Sequence, residues 1–155
     1  MSQDQSFITA EGLNKLKEEL TKAKLSRKDI AIRIQDAKEL GDLSENAEYA
    51  EAKNTQAFNE GRIMEIENIL NNSVIITEVD NNGQVQVGSS VKVLAEGQKV
   101  ERIFKIVGSN EADPASGIIS NESPLGQAFL GQMVGKTVEV QVPKGTVRYK
   151  IISVE

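Results

Sequence analysis

The chain has 155 residues, enough for one ordinary domain or two small ones, and contains neither cysteine nor histidine. That excludes disulfides, thiolate nucleophiles and iron–sulfur clusters, and it removes the commonest general base and transition-metal ligand, so any chemistry rests on carboxylates, amines or hydroxyls. Eighteen Lys and Arg against 23 Asp and Glu give a net charge of -5, which argues against a protein that coats nucleic acid or an anionic membrane. Aromatics make up only 4% of residues, so deep aromatic-lined pockets are not expected. No apolar run approaches the ~20 residues of a membrane span, and Met1-Ser2-Gln3-Asp4-Gln5 is polar and acidic, which points to a cytoplasmic protein.

Leu13, Leu16, Leu20, Ala23, Arg27, Ile30, Ile34 and Ala37 follow alternating three- and four-residue spacings, the seam of a helix lying along another helix, with Arg27 as its one polar interruption. Thr9 with Gly12 marks its start. Gly41 after Leu40 marks its stop, because glycine accepts the left-handed backbone that ends helices. A second helix is predicted from about Leu43 to Leu70, with Ala47, Ala50, Ala57, Gly61 and Met64 on its seam near the turn and Ile63, Ile66, Ile69 and Leu70 at its far end. A reversal at Gly41 and Asp42 makes the pair an antiparallel hairpin of roughly 40 Å at 1.5 Å per residue.

The grammar changes near residue 72. Nine of the 12 glycines and all three prolines follow it, in a region dense in Val and Ile. Strands are predicted at Val74 to Val79, Val85 to Val87, Val91 to Leu94, Val100 to Val107, Val138 to Val142 and Val147 to Val154, with turns at Asn81-Asn82-Gly83 and Pro143-Lys144-Gly145. Ser123 as N-cap, Pro124 at the first helical position and Gly131 past the end define one short helix among them. The expected fold class is α+β: a coiled-coil hairpin over 1–74 and a small sheet with one helix over 75–155.

The hairpin carries most of the excess acid, and its charges are sorted. Lys15, Lys17, Lys22, Lys24, Arg27 and Lys28 lie toward the base, whereas Asp36, Glu39, Asp42, Glu45, Glu48 and Glu51 flank the turn. A structural explanation comes first: Asp42-Leu43-Ser44-Glu45 has the spacing of a capping box, and both acids suit the positive end of a helix. A cap needs only one or two acids, however, and like charges on an exposed tip repel. The surplus points to a cationic target, either a basic channel or a metal ion. Two carboxylates supply only part of a Mg²⁺ shell, so a partner would have to complete it.

The stretch Gly41-Asp42-Leu43-Ser44-Glu45-Asn46-Ala47-Glu48-Tyr49, followed by Phe58-Asn59-Glu60-Gly61-Arg62-Ile63, resembles the signature of the bacterial Gre transcript-cleavage factors, most nearly the GreA type. The similarity continues through Asn82-Gly83, Ile106-Val107-Gly108, Glu111-Ala112-Asp113, Ser123-Pro124-Leu125 and Leu130-Gly131, almost the whole chain. The resemblance implies a C-terminal domain of FKBP-like fold that binds RNA polymerase near the mouth of its secondary channel, and a hairpin threaded inward as a monomer. It implies that Asp42 and Glu45 help hold a Mg²⁺ shared with the polymerase, so that water cleaves backtracked RNA and a new 3′ end forms. The polymerase remains the nuclease, and this chain binds no cofactor tightly alone.

By the same resemblance Lys38 and Lys53 contact the displaced RNA 3′ segment, and Ser123 and Pro124 contact the polymerase. Each has a plainer alternative. The lysines can pair with Glu39, Asp42 or Glu51, and Ser123 and Pro124 form an ordinary helix start. Asn46 and Tyr49 can pack or bond the turn as readily as touch a partner. Two other functions stand beside cleavage: a channel plug that inhibits polymerase, and a peptidyl-prolyl isomerase, disfavoured because the C-terminal half has only Phe104, Phe129 and Tyr149 as aromatics.

Overall fold

A computed structural model describes residues 6–77 and 82–155. The chain is α+β and divides into two compact units, Leu13–Asn72 in one and Met1–Gly12 with Ser73–Glu155 in the other. In chain order the elements are β1 (Ser6–Thr9), α1 (Ala10–Glu39), α2 (Ala47–Asn72), β2 (Ser73–Ile76), β3 (Ser90–Ala95), β4 (Glu101–Val107), β5 (Ile118–Ser120), α3 (Pro124–Phe129), β6 (Thr137–Val142) and β7 (Gly145–Val154). Single 3-10 turns at Ser109–Glu111 and Pro114–Ser116 join β4 to β5.

The hairpin unit is antiparallel, since Glu19 pairs with Arg62, Arg27 with Glu60, and Ala37 meets Asn46. The seam of α1 is the expected one: Leu16, Ile30, Ile34 and Ala37 are buried. Arg27 stays on that seam by reaching sideways, donating Nε and Nη2 to the two carboxylate oxygens of Glu60, each at 2.7 Å. These bonds raise the Arg27 pKa and hold Glu60 below its ordinary value. Arg62 makes a similar fork to Glu19, at 2.6 and 2.9 Å, and the fork lowers the Glu19 pKa.

The far end of the α2 seam is as expected, with Ile63 and Ile66 buried, but the part near the turn differs. Ala47, Ala50, Ala57 and Gly61 are exposed and Met64 is 69% exposed. The inward stripe is Tyr49, Ala52, Gln56, Asn59, Ile63, Ile66 and Leu70, an unbroken three–four alternation with two polar members. Asn59 is accommodated because its Nδ2 donates to the Ala23 carbonyl of α1 at 2.9 Å. A polar group at a seam position specifies register at some cost in stability. Asn59→Leu is therefore expected to stabilise the hairpin by about 1 kcal/mol while loosening its pairing; thermal melts and sedimentation at several concentrations check both parts.

In the other unit, a five-stranded sheet has the order β5-β4-β3-β7-β6, antiparallel except for the parallel β4–β5 pair, with an irregularity in β3 between Lys92 and Val93. β1 pairs in parallel with β2. One face of the large sheet supplies Val91, Val93, Ile106, Val140 and Ile151 to a core closed by Phe129 of α3. Phe129 meets Tyr149 edge-on at 5.8 Å and Phe104 at 6.0 Å, so the three aromatics of this half fill the core. A Cβ at Gly108 would overlap the carbonyl oxygen of Phe7, so glycine is what admits β1 so close to the end of β4.

Two predicted strands change. Val85–Val87 is not a strand: Val85 donates to the Gln132 carbonyl and accepts from Gly131 N–H, pairing with the segment after α3 instead. The strand expected at Val74 to Val79 is β2, ending at Ile76; Val79 and Asn81 lie outside the described residues. The Pro143-Lys144 turn between β6 and β7 is as expected, with Val142 opposite Gly145.

Candidate functional site

The hairpin turn spans residues 40–46. Its first requirement is a backbone reversal, met at Gly41, whose φ of 131° is rarely open to a side-chain-bearing residue. The second is to satisfy the carbonyls that end α1 and the N–H groups that begin α2, since each helix end leaves four without partners inside the helix.

The expected capping box is not how this is done. α2 starts at Ala47 rather than Leu43, and its cap is Asn46, whose Oδ1 accepts from Tyr49 N–H at 3.0 Å. The Asp42-Leu43-Ser44-Glu45 spacing fits a box, but its residues lie in the loop before the helix. Asp42 instead closes a small turn of its own: Oδ1 accepts the backbone N–H of Ser44 at 3.0 Å and its hydroxyl at 2.9 Å. Ser44 is thus the residue that orients Asp42, a contact the sequence does not reveal because it forms only when the loop is not helical.

Those two bonds, the backbone one first, hold Asp42 below the ordinary carboxylate range. Their stabilisation of the turn is complete above the unfolded-state pKa and is lost as the pH falls through the lower folded value. At neutral pH Asp42 is an exposed anion with Oδ1 engaged. Glu45, also exposed, lines with Asp42 one shallow depression together with Leu40, Asn46, Ala47 and Glu48.

Lys38 lies in the last turn of α1 and Lys53 in the second turn of α2, both exposed. Neither makes the ion pairs considered for it: Lys53 donates to Gln56 at 2.8 Å, and no ion pair is described for Lys38. A further cation was missed. Arg33 lines a second depression with Asp36, Ala37, Glu48, Glu51 and Ala52, and its position beside Ile34 of the seam was the available signal.

Ser123 and Pro124 open α3 in the other unit as read from sequence. Ser123 Oγ accepts from Gly126 N–H at 3.0 Å, Pro124 is the first helical residue, and Gly131 follows the end with φ 79°. Serine, proline and glycine here account for the helix itself.

Among the described residues there is no group of three or more His, Cys, Asp or Glu arranged to hold a metal, and no helix long and apolar enough to cross a membrane. What the fold and the tip define is an α+β protein with a helical hairpin, whose distinctive chemistry is an exposed carboxylate turn. Models of the two parts of one family match it: "Transcription elongation factor, N-terminal" over residues 6–75, and "Transcription elongation factor, GreA/GreB, C-term" over 80–155. Curated relatives called transcription elongation factor GreA include one from Clostridium acetobutylicum, 50% identical over 158 aligned positions and all of both chains. Another, from Acetivibrio thermocellus, is 48% identical over 149, covering 95% of this chain and 94% of that one. Among solved structures, the GreA factor homolog 1 of Thermus thermophilus is 25% identical, with 97% of this chain and 99% of that one covered and a TM-score of 0.45. The chain belongs to the GreA/GreB family of transcription elongation factors.

Proposed function

We propose that this elongation factor acts on RNA polymerase by lending it the Asp42 and Glu45 carboxylates, stimulating the polymerase's own cleavage of backtracked RNA and so rescuing arrested complexes in the bacterial cytoplasm. The observation that carries this reading is the Asp42 turn, in which an exposed carboxylate is ionised and oriented by Ser44 with Oδ2 left over. Carboxylate oxygens are hard donors suited to Mg²⁺, and two of them fit a partial shell and nothing more. When bound between partner and tip, Mg²⁺ would activate a water and offset phosphoryl charge.

The chain's own residues do the rest. Asp42 and Glu45 present negative charge from a turn, the acids around them favour entry into a basic channel, and Lys38 and Lys53 are exposed cations available to an RNA 3′ segment. The C-terminal unit, with Ser123 half-buried and Pro124 exposed at the start of α3, is the docking part, and the factor works as a monomer.

The chain is not itself a nuclease on this reading. Added to a stalled, backtracked elongation complex with Mg²⁺, it is expected to release short 3′ RNA fragments; incubated with the same RNA and Mg²⁺ alone, it is expected to release none. Cutting without polymerase would overturn the reading, as would a complex that stays uncut.

A further inference from the structure

One side chain closes the tip at both helix ends. Asn46 Oδ1 caps α2 through Tyr49 N–H at 3.0 Å, and its Nδ2 donates to the carbonyl of Ala37, in the last turn of α1, at 2.6 Å. Among the described residues this is the one hydrogen bond that joins the two helices at the turn. The next one down, Arg27 to Glu60, starts ten residues further back on α1, roughly 15 Å along the helix. Between them the apolar cluster across the seam is Ile30, Ile34 and Ala52 with Tyr49 against it, and Ala52 is small. The loop itself is short of ties: apart from the Asp42–Ser44 turn, its described bonds are Leu40 N–H to Ala37 and Ala50 N–H to the Asn46 carbonyl.

We infer that Asn46 is a positioning residue for the Asp42 and Glu45 carboxylates, fixing where α2 begins relative to the end of α1 and therefore where the intervening loop holds them. Asn46 is half-buried and points its amide at Ala37, so it acts through the loop geometry and not by touching metal or RNA. Its two functions need different halves of the amide. The cap needs an acceptor, which Ser and Asp also supply; the cross-helix bond needs a donor at amide reach, which neither has. This inference rests on the carboxylate-lending reading above and names a residue that reading does not require.

The test uses the full-length chain with wild-type, Asn46→Ser, Asn46→Asp and Asp42→Asn proteins on a stalled, backtracked elongation complex. Cleavage is followed against Mg²⁺ concentration at saturating factor, and against factor concentration at saturating Mg²⁺, with helix content and melting by circular dichroism. Asn46→Ser and Asn46→Asp are expected to retain helix content and to need the wild-type concentration of factor. Their cleavage at low Mg²⁺ should fall about 10- to 100-fold, the scale of an ångström-level misplacement of reacting groups, and half-saturation should move several-fold higher in Mg²⁺. An unchanged Mg²⁺ dependence overturns the inference. So does a raised factor requirement with Mg²⁺ dependence unmoved, which would make Asn46 a polymerase contact, or a hairpin that unfolds in both variants, which would make it a stability residue alone. Asp42→Asn separates the two levels: if it cleaves like wild type, the carboxylate reading fails, whereas an inactive Asp42→Asn beside wild-type Asn46 variants removes only the role given to Asn46.

Discussion

Asp42→Asn is expected to reduce stimulated RNA cleavage by about 100-fold or more while leaving the melting of the hairpin nearly unchanged. The magnitude is that of removing one fixed electrostatic group from a reacting centre. The structure makes the substitution a clean one. Asp42 uses Oδ1 to accept from the N–H and hydroxyl of Ser44, and the Asn amide oxygen can accept both. The turn is kept, and the charge is lost. Had Asp42 been the cap of a helix starting at Leu43, the same logic would have run through the Glu45 N–H and the helix dipole; with Asn46 as the cap, bonded by the Tyr49 N–H, Asp42 is not needed to start the helix. A cleavage assay on a stalled complex, paired with a circular dichroism melt, reads both halves. Cleavage at the wild-type rate would remove the carboxylate hypothesis. A wild-type chain that suppresses nucleotide addition without releasing RNA fragments would identify a channel plug instead.

The tip shows where sequence reading reached its limit. The acidic turn, its glycine and the two helices were legible because their signals are local: a three–four alternation on α1, glycine after Leu40, and acids at regular spacing. The helix start was misplaced because two cap signals compete within five residues. Asp42-Leu43-Ser44-Glu45 satisfies a box, but Asn46 alone can cap α2 and also reach the Ala37 carbonyl, and that second bond is tertiary. The α2 seam was legible at its far end, where Ile63 and Ile66 are buried, and not near the turn. Gln56 and Asn59 occupy seam positions there, so apolar spacing alone points to the exposed Ala57, Gly61 and Met64 instead. Asn59 belongs inside only because the Ala23 carbonyl is there to receive it. In the other unit, β1 and β5 have four and three residues, too short for alternation to register. Their places are set by partners distant in sequence, Ser73–Ile76 and Lys105–Val107.

Phe129→Ala is expected to act through the other unit, with a reversed kinetic pattern. Phe129 is fully buried and joins Phe104 and Tyr149 in an aromatic group between α3 and the sheet. Truncating such a ring costs about 3–5 kcal/mol through lost burial and the cavity it leaves, and for a unit of this size that lowers the melting temperature by more than about 10 °C. The hairpin has its own seam and its own cross-helix bonds, from Arg62–Glu19 to Asn46–Ala37, so its tip chemistry does not depend on Phe129. If the C-terminal unit is the docking part, then below the lowered melting temperature Phe129→Ala should need more factor for half-maximal cleavage and still reach the wild-type rate at saturation, with unchanged Mg²⁺ dependence. Asp42→Asn should show the opposite, an unchanged factor requirement and a collapsed maximum. Titrating each variant into a stalled complex distinguishes the two patterns. A Phe129→Ala protein with lower maximal cleavage but wild-type half-saturation would mean that this unit contributes to the reaction itself, and the division of labour between docking unit and acidic tip would have to be given up.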